Sequence, residues 1–248
     1  MADLILIAIA AFGAGILNTL AGGGTFLTFP ALVYVGVPPI LANATSAVAV
    51  FPGYLAGTFG FRAELSTLER PSMVRLTIIT LLGGLAGSLL LLVTPADAFS
   101  AIVPFLLLFA TLVFLFGPQI RAFAAAKSKG IANEGAVGLF LVAVYGGYFN
   151  GGLGIVLLAL FALWGWNDLN KMNGLKNWLS FALSAISVAT FAVAGLVVWP
   201  KAAVMMVFAI LGGYLGAPIA RAVPASAIRI LVATIGFGMS AAFFAGLI

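Results

Sequence analysis

Apolar residues run along this chain in blocks far longer than those of soluble helices or strands. Charges and prolines divide it into eight runs, at roughly 4–36, 39–61, 72–93, 98–117, 135–166, 172–198, 202–220 and 224–247. A helix needs about 20 apolar residues to cross a hydrocarbon core of ~30 Å. The pattern therefore predicts an all-α integral membrane protein. A single substantial polar segment, 119–134, lies near the middle of the chain. The N-terminal MADLILIAIA has an acid and no basic region before its apolar residues, so the first run is expected to belong to the fold and not to a cleaved leader.

Two runs are unsuited to a simple crossing helix. The first is interrupted by NTLAGGG over 18–24 and the fifth by NGGLG over 150–154. Each glycine in a helix interior costs about 1 kcal/mol relative to alanine, and an asparagine accompanies the glycines both times. A break is thus expected at the same place in each half. The halves also match elsewhere. Gly83 and Gly87 recur as Gly212 and Gly216, and Pro95 as Pro224, all 129 positions later. Asn43 and Gly24 recur as Asn173 and Gly154 after 130, and Asn18 as Asn150 after 132. Paired broken helices in duplicated halves are characteristic of secondary transporters.

The basic residues discriminate between two topologies. If all eight runs cross, they divide seven against four between the faces. If runs one and five are re-entrant hairpins, the division becomes ten against one, with Lys201 alone on the minority face. The positive-inside rule selects the second. Each hairpin arm would have roughly 12–15 residues, too short to cross. The expected fold is two inverted repeats, each a re-entrant helical hairpin plus three transmembrane helices. The first repeat occupies 1–118, a cytoplasmic linker 119–134 and the second repeat 135–248. The termini are expected outside the cell.

Composition narrows the function. Charged residues are 7% of the chain and apolar ones 64%, against roughly 25% charged in soluble domains, which excludes a soluble enzyme and a nucleic-acid-binding domain. Histidine and cysteine are absent, and Asp3, Glu64, Glu69, Asp97, Glu134 and Asp168 all lie at or beyond run ends. No buried acid, base or metal site emerges for an intramembrane enzyme, and no proton relay is visible. No cofactor, metal or nucleic-acid partner is expected. The partners are the bilayer and a small anion, with a homo-oligomer left open.

An anion site is expected where the hairpin tips meet. The second arms begin near Thr25 and Ile155, and helix N-termini offer backbone N–H groups and positive dipole ends. The candidate binding residues there are Asn18, Thr19, Gly22, Gly23, Gly24, Thr25, Asn150, Gly152 and Gly154. The faces carrying Asn43 and Ser46 in the second run and Asn173, Lys176 and Asn177 in the sixth are expected to complete the site. In the sixth run Asn173, Asn177, Ser180, Ser184 and Ser187 share one helical face. Lys176, beside that stripe, is the one cation expected in the site, because an intramembrane charge is expensive. The serines read equally well as interhelical hydrogen-bonding groups.

GILNTLAGGG over 15–24, FPAL over 29–32, GVP over 36–38 and NATS over 43–46 together resemble the sulfite exporter TauE/SafE family, also called the toluene sulfonate uptake permeases. LKN over 175–177, GLVVW over 195–199 and GGYLG over 212–216 extend the likeness into the second half. The resemblance implies a permease or exporter of the bacterial or archaeal inner membrane for sulfur-containing anions such as sulfite, sulfoacetate or other organosulfonates. An anion channel of the same fold is the alternative. Accessibility labelling is expected to place 119–134 on the cytoplasmic face. Labelling from outside would overturn the hairpin topology.

Overall fold

The computed structural model describes residues 1–20, 23–127, 135–222 and 225–246; the side chains of 19, 20, 216–222 and 225–229 are outside that description. The described residues form helices and short connections, with no strand among them. Among the described residues, four helices are long and apolar enough to cross a membrane: α3 (Pro39–Gly60), α5 (Arg70–Val93), α6 (Ala96–Leu115) and α10 (Leu169–Val193). α11 (Trp199–Ala222) and α12 (Ala225–Phe244) complete the second half, and α4 (Arg62–Leu65) is a short turn before α5. Large apolar side chains face outward, among them Val74, Ile78 and Leu82 on α5 and Phe105 and Phe109 on α6. Such a surface suits lipid and not water.

Both interrupted runs double back on themselves. α1 (Ala2–Leu20) and α2 (Thr25–Tyr34) lie antiparallel, with Gly13 against Leu27 and Gly24 against Asn18. α8 (Ala136–Tyr148) and α9 (Leu153–Leu163) do the same, with Gly146 against Leu153 and Gly138 against Leu160. At the open end Trp164 returns to the side of Gly135. Three of the four arms have 10, 13 and 11 residues, close to expectation. α1 is longer, at 19, because its helix starts at Ala2 and runs through Asn18.

The outer ends of the hairpins close identically. Gly36 and Gly165 adopt positive φ, and the next residues donate back five positions, Val37 N–H to Leu32 and Trp166 N–H to Phe161. This left-handed glycine cap stops a helix while satisfying its last carbonyls. Pro38 and Pro39 then open α3, and the Asp168 carboxylate caps α10 by accepting from the N–H groups of Asn170 and Lys171.

The packing exchanges parts between the halves. α1 packs mainly on α11, and α8 on α5. Gly15 lies against Ala209 and Gly213, and Gly147 against Gly84. Equivalent helices pair antiparallel. In α3 and α10, Gly57 meets Asn177, Phe61 meets Gly174, and the Phe51 and Phe181 rings stack at 5.1 Å. In α6 and α12, Thr111 meets Gly236, and the Ser240 hydroxyl donates to the Pro104 carbonyl at 2.8 Å.

The polar segment 119–134 differs from expectation at its start. α7 (Gly117–Lys127) is helical there and packs on α9. Its alanines favour helix, and Lys127 in the last turn suits the helix dipole. Residues 128–134, including Lys129 and Glu134, lie outside the described residues, as does Pro224.

The glycine contacts make a test. A Cβ on Gly147 would sit 2.3 Å from the Gly84 carbonyl oxygen, whereas one on Gly60 would meet nothing within 4 Å. Gly147→Ala is expected to destabilise the purified protein by about 1–3 kcal/mol or more through overpacking, and Gly60→Ala to leave it unchanged or slightly more stable. Thermal melts of the two variants check this.

Candidate anion site between the hairpin tips

The second hairpin's tip meets α3 through Asn43 and Tyr54, and the first lies beside α3 at Gly53; many of the buried polar side chains among the described residues lie on these elements and on α10. At the first tip Asn18 Oδ1 accepts from the Gly24 N–H at 2.8 Å. This uses one of the backbone donors expected to face a ligand. Phe26 and Leu27 donate to the carbonyls of Gly23 and Gly24, so the first turn of α2 is largely satisfied from within. Thr25 is buried. Gly22 lies outside the described residues, and so does the side chain of Thr19.

The second tip is built differently. Phe149 leaves α8 in extended backbone, and Gly152 turns into α9 with φ of 71°. Only a residue without Cβ adopts that conformation cheaply. Tyr145 donates its hydroxyl to the Gly151 carbonyl and braces the turn. Asn150 Oδ1 accepts from the Tyr54 hydroxyl at 3.4 Å, while Asn150 Nδ2 is buried with no partner. Gly154 lies buried in the first turn of α9.

α3 supplies ties. Asn43 Nδ2 donates to the Tyr148 carbonyl at 2.8 Å, fastening α3 to the end of α8. Ser46 and Thr28 share a hydrogen bond of 2.5 Å between their hydroxyls, fastening α3 to α2. Thr45 accepts from the Val198 N–H at 3.0 Å. Pro52, inside α3, removes the N–H that would otherwise bond the Val48 carbonyl.

α10 supplies the polar stripe. Asn173, Lys176, Ser180, Ser184 and Ser187 fall in one sector of the helix. Lys176 is 2% exposed and donates to Asn173 Oδ1 at 3.0 Å. Among the described residues that neutral amide is its polar partner, and no carboxylate joins it. Asn177 is buried beside Gly57. The Ser180, Ser184 and Ser187 hydroxyls are buried without partners, so they do not serve as interhelical hydrogen bonds here. The outlying Lys201 has a structural place: it donates to the Val35 carbonyl at the end of α2.

The structure places Asn18, Gly23, Gly24, Thr25, Asn150, Gly152 and Gly154 at the two tips, ties Asn43 to the end of α8 and Ser46 to α2, and sets Asn173, Lys176 and Asn177 on α10, where Asn177 meets Gly57 of α3. Sequence reasoning passed over Thr28, Tyr54 and Tyr145. A buried tyrosine in an apolar run reads as core, and only its spacing against the partner element could have exposed its role. The arrangement holds no cluster of His, Cys, Asp or Glu suited to a metal among the described residues. It offers one cation, unpaired donors and neutral hydroxyls, groups that can bind a polar solute.

Known proteins agree with that chemistry. Residues 7–243 match the family described as Sulfite exporter TauE/SafE. A "Probable membrane transporter protein" of Haemophilus influenzae is 30% identical over 231 residues, covering 93% of this chain and 90% of that protein. A "Probable membrane transporter protein ORF9" of Sinorhizobium sp is 26% identical over 239 residues, covering 96% and 90%. "Probable membrane transporter protein YfcA" of Escherichia coli is 27% identical over 231 residues, covering 92% and 84%. No solved structure matches the chain. Apolar spanning helices, relatives named as membrane transporters and a family match over nearly the whole length lead to one conclusion: the chain is a membrane transporter and belongs to the sulfite exporter TauE/SafE family.

Proposed function

We propose that this transporter moves a small sulfur-containing anion, such as sulfite, sulfoacetate or another organosulfonate, across the inner membrane. The observation that carries this reading is Lys176. An ammonium buried in a membrane protein with only a neutral amide for company lacks its counter-charge, and an intramembrane charge is expensive unless it is used. A sulfite or sulfonate group supplies the missing charge and several strong acceptors. The Asn150 amide N–H₂, buried without a partner, adds donors of the right kind.

In this reading 1–118 and 135–248 are two inverted repeats joined by a cytoplasmic segment at 119–134. Two observations support it, hairpins that turn back and equivalent helices that pair antiparallel; placed in that topology, the basic residues other than Lys176 divide nine against one. Two hairpins entering from opposite faces bring their tips to mid-depth, where irregular backbone needs protein cover. An inside-negative potential then favours outward movement of the anion by about 2.3 kcal/mol per charge per 100 mV.

Thermal melts of the purified protein with sulfite, thiosulfate, sulfate and short organosulfonates test the site. A ligand at about 100 times its Kd stabilises by about 2.7 kcal/mol. At least one sulfur anion is expected to raise the midpoint. Lys176→Met is expected to abolish that rise while leaving the ligand-free protein at least as stable, because it removes an uncompensated buried charge. A Lys176→Met protein that keeps the anion-dependent shift would remove Lys176 from the site.

A further inference from the structure

Positions related by the internal repeat do not make related contacts. Asn18 and Asn150 are equivalent, yet Asn18 is tied within its own hairpin and Asn150 is tied to another helix. The donor to Asn150 is Tyr54, whose counterpart 130 positions later is Ser184, a buried hydroxyl with no partner. Asn43 reaches the end of α8, while its counterpart Asn173 holds Lys176 instead. The second hairpin is therefore fastened to α3 at two points, through Tyr148 and Asn150. Among the described residues, neither tie has an equivalent between α10 and the first hairpin at the matching positions.

We infer that Tyr54 is a positioning residue for the substrate: its hydroxyl holds Asn150 Oδ1 and so turns the amide N–H₂ into the buried centre, where it donates to the anion. The inference rests on the anion-transport reading. The chemistry follows from the two ends of an amide. A carboxamide offers an acceptor and a pair of donors, and an anion accepts only from the donors. Without a partner for Oδ1, rotation by half a turn would present the oxygen to the anion and repel it. The Tyr54 hydroxyl donates to that oxygen at 3.4 Å, and Nδ2 lies in the interior of a residue only 5% exposed, without a protein acceptor. An unpaired buried donor is costly, and an anionic ligand supplies its acceptor. Tyr54 is itself buried, and among the described residues its hydroxyl proton goes to this contact.

The test uses the full-length protein in proteoliposomes with radiolabelled sulfite as probe, measuring the concentration dependence of uptake. Tyr54→Phe is expected to raise the apparent KM about 3–10-fold, the worth of one neutral hydrogen bond, with the maximal rate changed far less. Asn150→Ala is expected to raise it at least as much. In the Asn150→Ala background Tyr54→Phe is expected to add nothing, since its effect passes through the amide. Additive effects, or an unchanged KM for Tyr54→Phe, would overturn the inference. If Tyr54→Phe does not fold, Tyr54→His, which retains a ring donor, takes its place and is expected to keep KM closer to wild type than Asn150→Ala does; a KM raised as much as in Asn150→Ala would overturn it. Wild-type protein that shows no saturable uptake of sulfite and no stabilisation by any of the sulfur anions defeats the transport reading itself, which is a different result.

Discussion

A helix broken inside a protein that sits in lipid leaves backbone N–H and C=O groups that the surroundings cannot satisfy. This chain contains two such breaks, and much of the bundle serves to cover and bond them. Asn18 reaches six residues forward to the Gly24 N–H, Tyr145 closes on the Gly151 carbonyl, and Asn43 takes the Tyr148 carbonyl from a helix more than a hundred residues earlier. The glycines of α5, α8, α1 and α11 bring backbones into direct contact and seal each hairpin on its outer side. Small residues permit that approach where apolar side chains gain nothing by leaving lipid for one another.

With the breaks covered, the centre of the bundle is left deliberately incomplete in a physical sense. Asn150 Nδ2 and the hydroxyls of Ser180, Ser184 and Ser187 are buried without partners, and Lys176 has only an amide. Each unmet donor costs about 1–3 kcal/mol. The shell around them is the opposite, with interlocked glycines and aromatic pairs such as Phe26 with Phe114 and Phe29 with Phe149. Stability resides in the shell, and unused bonding capacity in the centre, where a polar solute can take it up.

The hairpins were legible in the chain because a break inside an apolar run has a local signature, an asparagine followed by glycines. The distribution of basic residues then separated turning back from crossing. The polar face of α10 followed from helical spacing alone. What escaped were contacts between elements. The Gly24 N–H looked free because its acceptor lies on the other arm and is reached only through the geometry of the turn. Tyr54 looked like core because its hydroxyl matters only once Asn150 is placed beside it. α7 looked like a loop because its charges were weighed and its alanines were not. Each miss concerns a property of two segments in contact, or of propensity outweighed by polarity.

Duplication makes the two halves alike in topology, but the centre is chemically lopsided. Where the second half has Lys176 the first has Ser46, and where the first half has Tyr54 the second has Ser184. In the proposed reading, a cation on one side and an aromatic donor braced against the opposite hairpin would draw an anion toward α10 and the tip formed by Asn150 and Gly152. The same differences bear on movement. If the halves exchanged conformations, α10 and the first hairpin would need ties matching Asn43–Tyr148 and Tyr54–Asn150. Ser184 is too short to reproduce the tyrosine contact, and Asn173 could act only by releasing Lys176. The two end states of such a carrier therefore differ in energy before any substrate binds, and an anion that engages Lys176 frees Asn173 to change partners. Asymmetry of this kind gives a symmetric scaffold a resting state and lets the substrate itself shift it.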